Sequence, residues 1–250
     1  TSPNPFLAIN STWSYILDTR FVLIETNTVW KFLKGTNEAS NPINAWRMLS
    51  FVDDSWSNAP SPFFYGDTGY TNAPNQGTYL SDMQGNYSSI YLRKPFVVPN
   101  INSVTSLFLN AQCDDGFVAY VNGVEVLRYN VPAGELPYNG VASSAASEPN
   151  GNGAGWINYT LSNPSSYLVN GTNVLCVQAF NNDLSSSTDF GFNAQLYTYI
   201  TSQDLVAPQM ISITPSAGVV YELNSITLTF SEPVTNVDVS DILINGVAAQ

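Results

Sequence analysis

Apolar and polar positions alternate along this chain in short runs of five to eleven residues, and turn-forming residues separate them. The runs fall at residues 21–25, 89–98, 104–111, 117–121, 124–129, 173–180 and 190–200. Ser89-Ile90-Tyr91-Leu92-Arg93 shows the period of two that places successive side chains on opposite faces of a strand. No segment carries the three-to-four-residue apolar repeat of a long amphipathic helix. Many short strands between Gly, Pro and Asn turns predict an all-β fold, a jelly-roll β-sandwich over residues 20–203. Residues 1–19 are expected to be a lead-in strand or linker, and 133–156, rich in Gly, Ser, Ala, Asn and Pro, a long functional or mobile loop. A boundary is expected near 201–208. Strands are expected to resume at 210–214, 219–223, 225–230 and 241–247. Those last 44 residues are too few for a complete immunoglobulin-type sandwich of about 100, so 207–250 is read as a partial Ig-like β-sandwich. An incomplete sheet leaves an open edge, and self-association through such an edge is expected.

The segment from Cys113 to Val126 carries the most information. Asp114-Asp115-Gly116 precedes an apolar run, then Asn122-Gly123, then a second run. Asn-Gly between two such runs predicts a hairpin, because both residues accept the positive φ of a type I′ turn. The acidic pair then lies at the open end of that hairpin, on the rim of a sheet, where β-sandwiches carry ligand loops.

Charge narrows the function classes. The net charge is −12, only 10% of residues are charged, and all seven basic residues lie at or before Arg128. A nucleic-acid binder needs a cationic stripe, which is lacking, and anionic membranes are disfavoured for the same reason. There is no run long enough for a membrane-spanning helix. With no histidine, Ser-His-Asp and Cys-His hydrolases are excluded. Thr1 is not a start residue, which suggests a mature product or a segment of a longer protein. Cys113 and Cys176 read either as two buried thiols or as a cross-sheet disulfide.

Residues 20 to about 200 resemble the galactose-binding-like jelly-roll modules of large secreted bacterial proteins. The resemblance rests on Trp30-Lys31-Phe32, Trp46, Phe51-Val52-Asp53-Asp54-Ser55-Trp56, Tyr65-Gly66-Asp67, Tyr91-Leu92-Arg93-Lys94, Asp114-Asp115-Gly116, Tyr120-Val121-Asn122-Gly123, Glu125-Val126-Leu127-Arg128 and Gly171-Thr172-Asn173-Val174-Leu175, in that order. The Asp-Asp-Gly hairpin is also similar to that of PA14 domains. In sugar-binding members of that family, paired aspartates hold a calcium ion that contacts sugar hydroxyls, and an asparagine completes the site. The resemblance implies Asp114, Asp115 and Asn181 as ligands of Ca²⁺. Residues 207–250 resemble the start of a bacterial Ig-like domain, a spacer by habit, through Pro208, Thr229-Phe230-Ser231-Glu232-Pro233-Val234 and Asp241-Ile242-Leu243-Ile244-Asn245-Gly246. Together these imply an extracellular or cell-surface protein.

Each residue also has a plainer reading. Asp114 and Asp115 would shape the turn by accepting backbone N–H groups. Asn182, Asp183 and Asp189 lie on the neighbouring rim, and ordinary loop chemistry is expected of the first two. Asp53 and Asp54 are expected to cap a turn, and Arg128 to form a salt bridge that positions a loop. Trp30 and Trp46 are expected in the core, whereas Trp56, Tyr65, Tyr138 and Trp156 lie nearer loops and are candidates for stacking on sugar rings. Adjacent aspartates point in different directions and do not make the opposed pair of a glycosidase, so no enzyme activity is expected. Two functions follow: a non-catalytic, calcium-dependent carbohydrate-binding or adhesion module, or a structural subunit of a surface layer or filament with no small ligand. The sequons at Asn10, Asn86, Asn158 and Asn170 matter only in a glycosylating host.

Overall fold

The computed structural model describes residues 15–67, 69–70, 77–146, 154–204, 208–216, 225–231, 243–244 and 247–248. It is all-β, and among the described residues no helix is long and apolar enough to cross a membrane. Residues Asp18–Thr201 form one compact unit, and Ser202–Gln250 belongs to a second.

The larger unit holds two six-stranded sheets. The first orders β10 (Trp156–Leu161), β7 (Val104–Asp114), β12 (Phe190–Asp204), β4 (Phe63–Tyr65) and β5 (Thr78–Tyr79), with β1 (Tyr15–Ile24) also paired to β12. The second orders β3 (Ser57–Pro60), β2 (Val29–Lys34), β6 (Ser89–Val98), β11 (Gly171–Phe180), β8 (Gly116–Val121) and β9 (Val124–Tyr129). Among the registers described, only β4–β5 is parallel.

The period of two decides what lies between the sheets. From the second sheet Trp30, Phe32, Ile90, Leu92, Phe117, Ala119, Leu175 and Val177 meet Phe63, Leu107, Leu109, Phe192 and Leu196 from the first in one core. The alternate positions of the second sheet are buried too. Tyr91, Val118, Tyr120, Val174, Cys176 and Phe180 pack under a layer of loop side chains centred on Trp46, Trp56, Leu136 and Ala142. A sheet covered on both faces reads as a nearly continuous apolar run, as in β8, where all six residues are buried. The described part of 133–156 is therefore partly a cover: Leu136 and Ala142 sit in that layer, and Trp156 already opens β10.

Arg93 pins the cover to the sheet. Its Nε donates to Asp53 Oδ2 at 2.7 Å, and its guanidinium donates to the carbonyls of Trp46, Met48 and Phe51. The Asp53 carboxylate thus serves an ion pair rather than a turn cap. Cys113 lies in the sandwich core and Cys176 in the layer outside the second sheet. The two thiols are free, which corrects the disulfide alternative: the sheet itself separates them.

The expected hairpin is β8–β9, with Asn122 at φ 51 and Gly123 at φ 90 as a type I′ turn requires. Asn122 and the fully buried Asn173 bond to each other, and Asn173 also satisfies Val169 and Gly171 backbone groups, closing that end of the sandwich. Arg128 pairs with Glu125 and donates to the carbonyls of Pro132 and Gly134, holding the following loop as expected.

In the second unit β13 (Met210–Thr214) pairs antiparallel with β14 (Thr227–Phe230), and β15 (Leu243–Ile244) with β16 (Val247–Ala248). The strand expected at 219–223 lies outside the described residues, as do 241–242 at the start of the last expected run.

Candidate functional site

Two chain crossings between the sheets and the end of β4 meet at the end of the sandwich opposite the Asn122-Gly123 turn. At Asp114-Asp115 the chain leaves β7 in the first sheet and enters β8 in the second. The acidic pair is therefore a corner between sheets, joined by a cis peptide bond, while the hairpin turn lies at the far end of β8. At 181–189 the chain returns from β11 to β12. At Tyr65, which pairs with Phe190, β4 ends and Gly66-Asp67 follows.

The two corner aspartates differ in what they hold. Asp115 accepts from the Ala146 N–H through Oδ1 and from the Asn182 N–H through Oδ2, both at 2.6 Å, and its carbonyl accepts from Asn130 Nδ2 at 3.1 Å. Its carboxylate is a tie between loops 31 and 67 residues away in sequence. Asp114 is cross-strand from Gly191. Its carboxylate lies with those of Asp67 and Asp189, with ligand oxygens all within 4.8 Å of one another.

Glycines bring this trio together. Gly66, at φ +79, runs so close to the neighbouring loop that a Cβ there would lie 2.2 Å from the Thr188 carbonyl oxygen and 2.8 Å from Asp189 Cα. Gly191 carries the Tyr70 ring directly on its Cα: a Cβ would lie 1.9 Å from Tyr70 Cζ. Tyr70 is buried three residues after Asp67. Burial, then Cys113 and Asp114, push its phenol far up, while burial, then Asp114 and Asp115, hold the Cys113 thiol neutral.

Asn181 stands behind the trio. Its Nδ2 donates to Tyr65 Oη at 2.7 Å and to the Asp189 carbonyl at 3.2 Å, and its Oδ1 accepts from the Asp183 N–H at 3.3 Å. The structure thus brings Asp114, Asp115 and Asn181 to one rim, but only Asp114 joins the carboxylate group. Tyr65 is buried, with its phenol raised by burial first and by the Asp189 and Asp114 charges, against the bond from Asn181. Asp183 does loop work: Oδ1 accepts from the N–H groups of Ser185 and Ser186, which lower its carboxyl to about 2.

The other sequence candidates lie elsewhere. Trp56 is 5% exposed, with Trp46, Phe51 and Tyr91 against it, and is a core side chain with no face to offer a ligand. Tyr138 is half-buried in the cover over the second sheet, and its carbonyl accepts from Ser89 Oγ at 2.5 Å. Trp156 is exposed at the start of β10, cross-strand from Gln112. Sequence reasoning left Asp67 unassigned, although Tyr65-Gly66-Asp67 stood among the resembling pieces.

Beside the trio opens a cleft of about 250 Å³, lined by Asp114, Asp115 and Asp189, by Ser186, Ser187 and Thr188, and by Ala145 and Ala146. The donors are all oxygen, with no imidazole in the chain, which suits a hard cation such as Ca²⁺. Three carboxylates this close repel one another, and a divalent cation relieves that repulsion.

No protein-family model and no curated protein matches the chain. Among solved structures it is similar to a β-glucuronidase of an uncultured Clostridium species, at 15% identity over 76% of this chain and 31% of that one, with a TM-score of 0.46. It is also similar to β-glucuronidase 2 of Bacteroides uniformis, at 17% identity over 72% and 18%, TM-score 0.43. A third is the β-glucuronidase of Ruminococcus gnavus, at 11% identity over 75% and 31%, TM-score 0.44. The chain spans less than a third of each of these proteins. At that depth of likeness neither substrate nor chemistry transfers to this chain.

Proposed function

We propose that the Asp18–Thr201 unit is a non-catalytic carbohydrate-binding module of an extracellular, multidomain bacterial protein, using a calcium ion at the Asp114 rim to engage sugar hydroxyls. The observation that carries this is the grouping of Asp67, Asp114 and Asp189, two of which, Asp114 and Asp189, line an open cleft together with hydroxyl side chains. Asp114 and its two partners supply the charged ligands. Asp115 and Asn181 hold the surrounding loops, because the Asp115 carboxylate already accepts two N–H groups and the Asn181 amide faces Tyr65 and Asp189. The sequence resemblance to sugar-binding modules supports the same reading. The trio is one group of oxygens within 4.8 Å, rather than two carboxyls facing each other across a substrate, which favours binding over hydrolysis.

Binding of calcium to the native state alone adds about 2.7 kcal/mol at a hundredfold excess over Kd. For a unit of this size that raises Tm by about 5–10 °C. Thermal melts in millimolar calcium against chelator read this shift, and Asp67→Asn with Asp114→Asn is expected to abolish it. A glycan array with and without chelator reads the sugar. Coincident melts overturn the calcium reading, and an array with no calcium-dependent signal overturns the carbohydrate reading.

A further inference from the structure

Exposed sheet edges offer unpaired N–H and C=O groups, and folded proteins normally blunt them with charge, proline, shortness or a bulge. Four of the edge strands of the Asp18–Thr201 unit carry such devices. β3 is four residues long and ends in Pro60, and β5 has two residues. β9 carries Glu125 and Arg128, Arg128 draws the next loop back over it, and its pairing with β8 is bulged at Ala119/Tyr120. β1 carries Arg20. β10 has none of these. Its sequence, Trp-Ile-Asn-Tyr-Thr-Leu, holds no charge and no proline, and it pairs in unbroken register with β7 on one side only among the described residues. Trp156 and Ile157, 43% and 42% exposed, leave apolar side chains bare at its start.

We propose that β10 pairs antiparallel with β10 of a second copy of this chain, extending the first sheet across a two-fold axis. Two observations select a second copy as the occupant. The molecule has a net charge of −12, so a symmetric contact is favoured where charges are absent, and β10 is a neutral strip. The strip is also self-complementary. A two-fold normal to the sheet keeps the outward residues on one face, and centring on Asn158 sets Trp156 opposite the partner's Thr160, Asn158 opposite the partner's Asn158, and Ile157 opposite the partner's Tyr159. Centring on Tyr159 instead sets Asn158 opposite the partner's Thr160. Both registers cover Ile157 and satisfy the free edge, as an isologous contact should. The edge is distinct from the cleft at the Asp114 rim, so it stands whether or not that cleft binds calcium.

The test is sedimentation velocity of the full, unglycosylated chain across a thousandfold concentration range, with hydrogen exchange at both ends of it. The mass is expected to rise from 27.2 kDa toward twice that value, and amides of β10 alone to gain protection at high concentration. Asn158→Lys with Thr160→Lys places like charges opposite one another in either register and is expected to weaken association at least tenfold. Val124→Lys on the β9 edge is the control and is expected to leave it unchanged. A monomer at every concentration, exchange protection that appears elsewhere, or a double-lysine variant that melts like the wild type and still associates as tightly would each overturn the proposal.

Discussion

Replacing Gly191 by alanine tests how the rim is assembled. The new Cβ would lie 1.9, 2.0 and 2.4 Å from three atoms of the Tyr70 ring, far inside contact distance. Those atoms belong to a rigid ring that is 4% exposed, so relief requires the whole side chain to move. Overpacking of a close-fitted interior costs about 1–3 kcal/mol, and partial exposure of a buried aromatic adds about 1–2 kcal/mol. The expected loss is about 2–4 kcal/mol, or a Tm lower by about 5–15 °C. Urea and thermal unfolding followed by near-ultraviolet circular dichroism measure it. The attribution to Tyr70 is checked by a double-mutant cycle: in a Tyr70→Ala background the ring is gone, and Gly191→Ala should then cost less than about 1 kcal/mol, leaving a coupling of at least about 1 kcal/mol. Because Tyr70 follows Asp67 and Gly191 faces Asp114, the same substitution should weaken calcium binding beyond its effect on the calcium-free Tm. A Gly191→Ala protein that melts within about 1 °C of the wild type, or a cycle without coupling, would refute this account.

Two further outcomes are expected. Arg93→Met strands the half-buried Asp53 carboxylate and three carbonyls of the cover; leaving such groups unsatisfied costs about 1–3 kcal/mol, read in urea, and Arg93→Lys should restore little because an ammonium lacks the planar fork; a loss under about 1 kcal/mol contradicts the role given to Arg93. Burial holds the Cys113 thiol far above its usual value and the Cys176 thiol at about 12, so the folded protein keeps protons that the unfolded chain releases from about pH 9 upward. The unfolded state then binds fewer protons and stability falls as pH rises from about 9 toward 12; native alkylation by iodoacetamide at pH 8 should be negligible and complete in guanidinium, and rapid native labelling would contradict the burial.

The sequence was most legible where period and turn chemistry agreed. Strands 89–98, 124–129 and 210–214 fall where they were expected, because each is flanked by turn residues and long enough to show its alternation. Strands β2, β3, β4, β5 and β10 were not anticipated. They are six residues or fewer, and most draw their stability from neighbours supplied by distant segments. The acidic pair was legible as a rim feature, but its division of labour was not. Which carboxylate accepts from the chain depends on Ala146 and Asn182 arriving from two other loops, and which faces the cleft depends on Gly66 and Gly191 allowing two close backbone approaches. Trp56 misled for a related reason. An aromatic beside Asp and Ser turns reads as a loop residue, yet here the loop itself is a hydrophobic layer and the tryptophan its filling.

That layer also bears on where a partner can act. The second sheet is closed on one face by the sandwich core and on the other by Trp46, Trp56, Leu136 and their neighbours, so its strands present no broad free face. What the described residues leave accessible are the rim where two crossings meet the end of β4 and the first sheet with its bare edge strand. The rim concentrates carboxylates and hydroxyls, which suits a cation and a polyol. The edge is uncharged and unpaired on one side among the described residues, which suits another strand. On the two proposals above, sugar recognition and assembly, which compete as explanations in the sequence, would use different surfaces of the fold. A variant at Asp67 and Asp114 should lose calcium while β10 still self-associates, and lysines on β10 should abolish association while the calcium-dependent shift in Tm remains. Loss of both properties on either substitution would show that one surface had been mistaken for two.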